Sequence, residues 1–235
     1  GGMGYLAQES SIFRKLTVRA VGESTLAGED FIYNTPNDQS RPGYLKMGWS
    51  VVKRLPLAIL PRDPKALVTM ATSRVPAALW SQATTAGHDA PEALADDAVA
   101  EGLLRHAPDS GVRTDRSAAY LRWRTAFAPL RYRLLLVDEA DPAQGGVIFR
   151  LRRRGEAVEA AIIEDLVPDW RTGARLVRRL LRETGADYAI GVRSASWSGL
   201  VPVPIPGPVL TSRPLASTPP PAGAWTLSLG DIELF

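Results

Sequence analysis

The chain contains no cysteine in 235 residues. That excludes a disulfide framework, a thiolate nucleophile and a cysteine-ligated zinc or iron–sulfur site. Histidine is almost as scarce. His88 and His106 are the whole supply, too few for a histidine-rich metal centre, and both read as solvent-facing; no metal site is expected. Lysine accounts for only four of the 28 basic residues, the other 24 being arginine. Long apolar runs are also missing. The longest clean ones, such as Leu57–Leu60, fall far short of the roughly 20 residues that a membrane-spanning helix needs. No basic-then-apolar leader is read at the N-terminus, and the expectation is a cytoplasmic protein without a membrane.

What is present is ordinary for a folded chain: 45% hydrophobic and 23% charged residues, too apolar for intrinsic disorder. The formal net charge is +3. Residues 1–62 and 112–235 are mildly basic and residues 63–111 are acidic. A weak positive field suits an anionic small ligand such as a nucleotide cofactor. It is too weak to argue for nucleic acid. These blocks suggest a first lobe over 1–62, a helical connector over 63–111 and a second lobe over 112–235.

Periodicity supplies the elements. Ile12, Phe13, Leu16, Ala20 and Val21 share a helical face, so a helix is expected over Ser11–Ala27 and a stop at Gly28. A short strand follows at Phe31–Asn34, then a helix near Pro42–Met47 and a strand from Trp49 to about Leu60 with Pro56 as a kink. In the middle block Asp63 is placed to cap a helix over Pro64–Ala71, and an acidic amphipathic helix is expected over Pro91–Ala107. A helix from Asp115 carries Tyr120 and Trp123 as core residues. Strands are expected at Tyr132–Val137, Gly146–Arg152 and Ala157–Val167, with a strongly amphipathic helix over Thr172–Thr184. Strands at Asp187–Val192, Pro208–Arg213 and Trp225–Leu229 complete the list. Hairpin strands followed by a helix that returns to a strand imply an α/β protein: a mixed β-sheet with flanking helices.

The most informative stretch is FIYNTPNDQSRPGYLKMGWSVVKRLP, residues 31–56. Asn37 precedes Tyr44 by seven residues, and Tyr44 precedes Gly48–Trp49 by four. This order, after a helix and a strand, resembles the acetyl-CoA half of the GNAT acetyltransferase superfamily over residues 5–62. The second half resembles a degenerate copy: strand 157–167 leads through Gly173 into an arginine-rich helix, and no tyrosine stands before Gly199. The resemblance implies a GNAT-like acyl-CoA N-acyltransferase fold in tandem lobes. It also implies an acetyl-CoA-dependent N-acetyltransferase of the two-lobed bacterial kind, with a small-molecule or peptide amine as acceptor. The superfamily places four strands and two helices before the helix that starts near Ser11. Either a segment preceding the given sequence or another chain, a second copy included, is expected to supply that half of the first lobe.

On that resemblance Tyr44 is the candidate general acid, a phenol able to protonate a departing thiolate. Gln8, Ser11, Ile12 and Phe13 occupy the place of the loop that holds the cofactor's pyrophosphate, with Ser11 and Phe13 where small residues are usual. Asn37 is the candidate contact to the pantetheine arm, and its simpler role is a turn or cap residue; Ser40 is the better N-cap for the short helix. Arg150, Arg152 and Arg154 alternate along one strand and share a face. With the helix arginines they read as a solvated basic surface, because Glu156, Glu159 and Glu164 are near in sequence and no aromatic interleaves. The alternative to an enzyme is a non-catalytic relic acting as an interaction or scaffold protein.

Overall fold

The computed structural model describes residues 3–73, 75–192, 199–202 and 207–232, with side chains from residue 12. In chain order the elements are α1 (Met3–Leu26), β1 (Phe31–Asn34), α2 (Arg41–Lys46), β2 (Ser50–Arg54), β3 (Leu57–Pro61) and α3 (Pro64–Thr72). Then come β4 (His88–Asp89), α4 (Ala90–Ala93), α5 (Asp97–Leu104), α6 (Ala118–Thr125) and β5 (Arg133–Leu136). The rest are β6 (Gly146–Arg154), β7 (Ala157–Leu166), α7 (Trp170–Thr184), β8 (Tyr188–Val192), β9 (Val201–Pro202) and β10 (Val209–Pro214).

Two compact units emerge. The first is residues 1–55 with 207–224, and the second is 56–206 with 225–235. They cut across the three blocks suggested by charge, for a reason that lies in strand pairing. The expected strand from Trp49 to Leu60 is two strands, broken at Pro56, which has no N–H to give to a ladder. β2 stays in the first unit, whereas β3 lies inside the sheet of the second, paired antiparallel with β8 on one side and β9 on the other. Conversely, β10 sits in the first unit between β1 and β2 in a three-stranded antiparallel sheet. Strand partners far apart in sequence complete both sheets, and charge blocks carry no record of them.

The second unit is a seven-stranded sheet in the order β4-β5-β6-β7-β8-β3-β9. Its neighbours are antiparallel except β7 and β8, which run parallel and are joined by α7. One face is covered by α4, α5 and α6 over Leu94, Leu103, Leu121, Ile148 and Ile163. The other is covered by α7 over Val147, Phe149, Ala160 and Leu151. β3 shows the alternation that two covered faces demand, with Ala58 and Leu60 facing α7 and Ile59 facing the other helices. The middle block contributes to this core through Leu94 and Leu103, which are fully buried. Its expected long helix is interrupted, because Asp96 turns outward to cap α5 through the amide of Ala98.

Local signals explain several boundaries. Asp63 caps α3 by accepting from the Ala66 amide at 3.0 Å, with Pro64 in the first turn. α7 buries Leu176, Val177, Leu180 and Leu181 and ends at Gly185 in the left-handed conformation. Each of those four side chains contributes about 1.5–3 kcal/mol by leaving water. Three expectations fail. α1 begins at Met3 rather than near Ser11. Trp225–Leu229 is not a strand; Trp225 makes a single bridge to Val112. Trp123 points to solvent on α6 and is 73% exposed, while its helix buries Leu121, Arg124 and Thr125 instead.

Candidate active site

In the first unit α1, β1 and α2 enclose a cavity of about 450 Å³. Phe13, Leu16 and Ala20 line it from one face of α1, Asn34 from the end of β1, Tyr44 from α2, and Trp49 from the turn between α2 and β2. That turn depends on Gly48. Its φ of +93° takes the chain out of α2 and into β2, and a side chain would be strained there. The reversal stacks the aromatics: the Tyr44 ring meets Phe13 edge-on at 5.0 Å and Trp49 at 5.1 Å. The Arg213 guanidinium lies 5.3 Å over the Trp49 ring and donates to the Met47 carbonyl at 2.7 Å. Trp49 is buried, and among the described residues its indole N–H has no hydrogen-bond partner. A buried donor left unmade costs about 1–3 kcal/mol.

The sequence candidates divide at this cavity. Tyr44 and Phe13 line it. Ile12 is exposed on α1 and does not. The side chains of Gln8 and Ser11 lie outside the described residues. The backbone from Gln8 to Phe13 is helical and interior to α1, so its amides bond to carbonyls four residues back instead of converging on a phosphate. The expected loop is absent because the helix starts at Met3. Asn37 is absent from the cavity wall. Its Oδ1 accepts from the amides of Gln39 and Ser40 at 3.1 and 2.8 Å and from the Ser40 hydroxyl at 2.9 Å. Asn37 rather than Ser40 thus closes the turn into α2. The asparagine at the cavity is Asn34, whose Oδ1 accepts from the buried Thr211 hydroxyl. Sequence reasoning missed it because Thr211 arrives on β10, 177 residues later.

The second unit offers a different arrangement. β7 and β8 pair only from Glu159–Tyr188 to Ala161–Ile190, after which β7 runs on to Leu166 paired with β6 but no longer with β8. Beside that opening lies a cavity of about 30 Å³, room for one water. Glu164 is buried there. The Ser228 hydroxyl donates to Glu164 at 2.9 Å, Arg116 contacts it at 3.3 Å, and Tyr120 donates to it at 3.4 Å. Arg116 also holds Asp231 at 2.6 Å. Burial pushes the Glu164 carboxyl up to about 7, against the pull of Arg116. At the far side of the opening α7 begins, and its N-terminal amides are already taken. Asp169 accepts from the Arg171 and Thr172 amides at 2.8 and 3.0 Å and from the Thr172 hydroxyl at 2.9 Å. Those bonds hold the Asp169 carboxyl below its usual range.

The histidines do no joint work. His88 is exposed and contacts Glu139. His106 is half-buried rather than solvent-facing, with Nε2 2.8 Å from the Ala143 carbonyl. Among the described residues no group of three or more acidic or histidine side chains is arranged to hold a metal, and no helix is long and apolar enough to cross a membrane.

The fold as a whole has a solved counterpart. A GCN5-related N-acetyltransferase from Anabaena variabilis superposes with a TM-score of 0.51, over 84% of this chain and 49% of that one, at 13% identity. The chain has a GNAT fold. Two further solved GNAT-like structures match less closely. One is a probable N-acyltransferase from Enterococcus faecalis (TM-score 0.48, 11% identity, 84% and 48% of the two chains). The other is Eis1 from Mycobacterium abscessus (TM-score 0.44, 14% identity, 87% and 52%). The chain spans about half the length of these structures. No protein-family model and no curated protein matches it.

Proposed function

We propose that the protein is an N-acyltransferase that moves an acyl group, acetyl in the simplest case, from a CoA thioester to an amine at the first-unit cavity. The observation that carries this reading is the Tyr44 ring on the wall of a 450 Å³ space, beside the buried, partnerless N–H of Trp49. The amine nitrogen attacks the thioester carbon, and the C–S bond breaks as the C–N bond forms. The Tyr44 hydroxyl proton passes to the departing sulfur. The proton shed by the amine nitrogen restores the phenol, so thioester and amine become amide and thiol.

A second reading has its own observation. The described residues present no free helix N-terminus to a pyrophosphate at either expected place. Residues 8–13 are interior to α1, and Asp169 fills the start of α7. A GNAT fold retained as an interaction protein would look the same. Calorimetric titration with acetyl-CoA, followed by thiol release in the presence of a panel of amines, separates the two. Binding with amine-dependent thiol release supports the transferase. Neither heat nor thiol, with any amine, leaves the interaction protein.

A further inference from the structure

We propose that the exposed face of α7 in the second unit binds single-stranded nucleic acid. Arg171, Arg175, Arg178 and Arg182 are all exposed. Their spacings of four, three and four residues set them on one side of the helix along about 17 Å. Among the described residues Arg171, Arg178 and Arg182 show no ion pair with a carboxylate, and Arg175 donates to the Thr172 hydroxyl at 3.1 Å near the capping Asp169. The nearby acids are otherwise engaged: Asp169 caps the helix, and Glu139 and Glu183 face Arg179. Like charges at these spacings repel one another, and a face that only needs water is usually mixed in sign. The glutamates that seemed to balance these arginines do not: Glu159 and Glu164 are buried elsewhere, on Arg152, Arg154 and Arg116.

Two observations give the partner its chemistry. A hollow of about 260 Å³ beside the helix is lined by Arg175, Arg179 and Arg182, three guanidiniums around a space that a phosphate fits. At the head of the ridge Trp170 is 54% exposed, with the Arg171 guanidinium 5.1 Å over one face of its ring. An exposed aromatic at the end of a cationic track is how bases stack while phosphates follow. A lipid surface is disfavoured because α7 spends its apolar face on the protein core and has no aliphatic side chain to insert. Duplex DNA is disfavoured because a helix lying flat on its sheet cannot enter a groove.

The test uses the whole chain and a labelled oligothymidylate of about twelve nucleotides. If four arginines each neutralise one phosphate, affinity falls about 20-fold between 50 and 150 mM salt. Replacing Arg171, Arg175, Arg178 and Arg182 by Gln should abolish most of that slope, and the buried face of α7 is untouched, so the melting curve should hold. Trp170→Ala should weaken the oligonucleotide about tenfold while leaving inorganic polyphosphate unchanged. No binding at 50 mM salt, an unchanged slope in the quadruple variant, an equal loss on polyphosphate, or binding only to anionic vesicles would each overturn the proposal. None of these readouts involves Tyr44 or acetyl-CoA.

Discussion

Tyr44 and Asn37 stand seven residues apart and do different work. Tyr44 faces the cavity, so Tyr44→Phe should reduce acyl transfer about 100-fold with little change in acetyl-CoA affinity, since one hydroxyl is lost and the stacking with Phe13 and Trp49 stays. Steady-state kinetics and a binding titration check both halves. Asn37 serves the turn, so Asn37→Ala should destabilise the protein by about 1 kcal/mol and leave acetyl-CoA affinity alone. A fall in affinity with unchanged stability would reverse that assignment. At Glu164 the sign follows from its raised carboxyl. Between about 4.5 and 7 the folded protein holds a proton that the unfolded chain releases, so this group's contribution is complete at low pH and fades as pH rises to about 7. Glu164→Gln should flatten that decline in urea midpoints measured from pH 5 to pH 8; a parallel curve in the variant would sink the idea.

Helix ends decide the element scale. Asp169 satisfies two amides and a hydroxyl at the start of α7. Asp169→Ala should destabilise the protein at neutral pH, because the amides of Arg171 and Thr172 lose their acceptor. Because its carboxyl is depressed, this contribution is present above the unfolded value near 3.8 and disappears as pH falls through the folded one. The variant and the parent should therefore converge in acid, which denaturation at pH 3 and pH 7 will show. α3 was legible because a cap, a proline and an apolar stripe agree within one segment, and α7 because its apolar stripe is strong, although the stripe alone puts its start at Thr172 rather than Trp170. α1 was read eight residues short because Met3–Ser10 carries no apolar stripe of its own.

At the scale of the molecule, β3 and β10 tie the chain together out of sequence order. A cut at the boundary that charge suggested would remove β3 from the middle of the second unit's sheet and leave β8 with an open edge. A chain starting at Asp63 is expected to lose cooperative unfolding and the slowest-exchanging amides of β7 and β8. Hydrogen exchange with circular dichroism would detect it, and a sharp transition in that truncated chain would show β3 to be dispensable.

The sequence by itself determined the class, most strands of the second unit, the cap at Asp63, and the Tyr44–Gly48–Trp49 reversal. Each rests on neighbours within a few residues, where periodicity and turn chemistry act. Only the tertiary structure decided which sheet β3 and β10 join, that Asn34 rather than Asn37 reaches the cavity, that Leu94 and Leu103 are buried in the second unit's core, and that Glu164 sits buried against Arg116. Those outcomes depend on partners 48 residues apart for Arg116 and Glu164 and 177 apart for Asn34 and Thr211. No local propensity encodes such pairings, because burial and hydrogen-bond satisfaction select them only once the whole chain has packed.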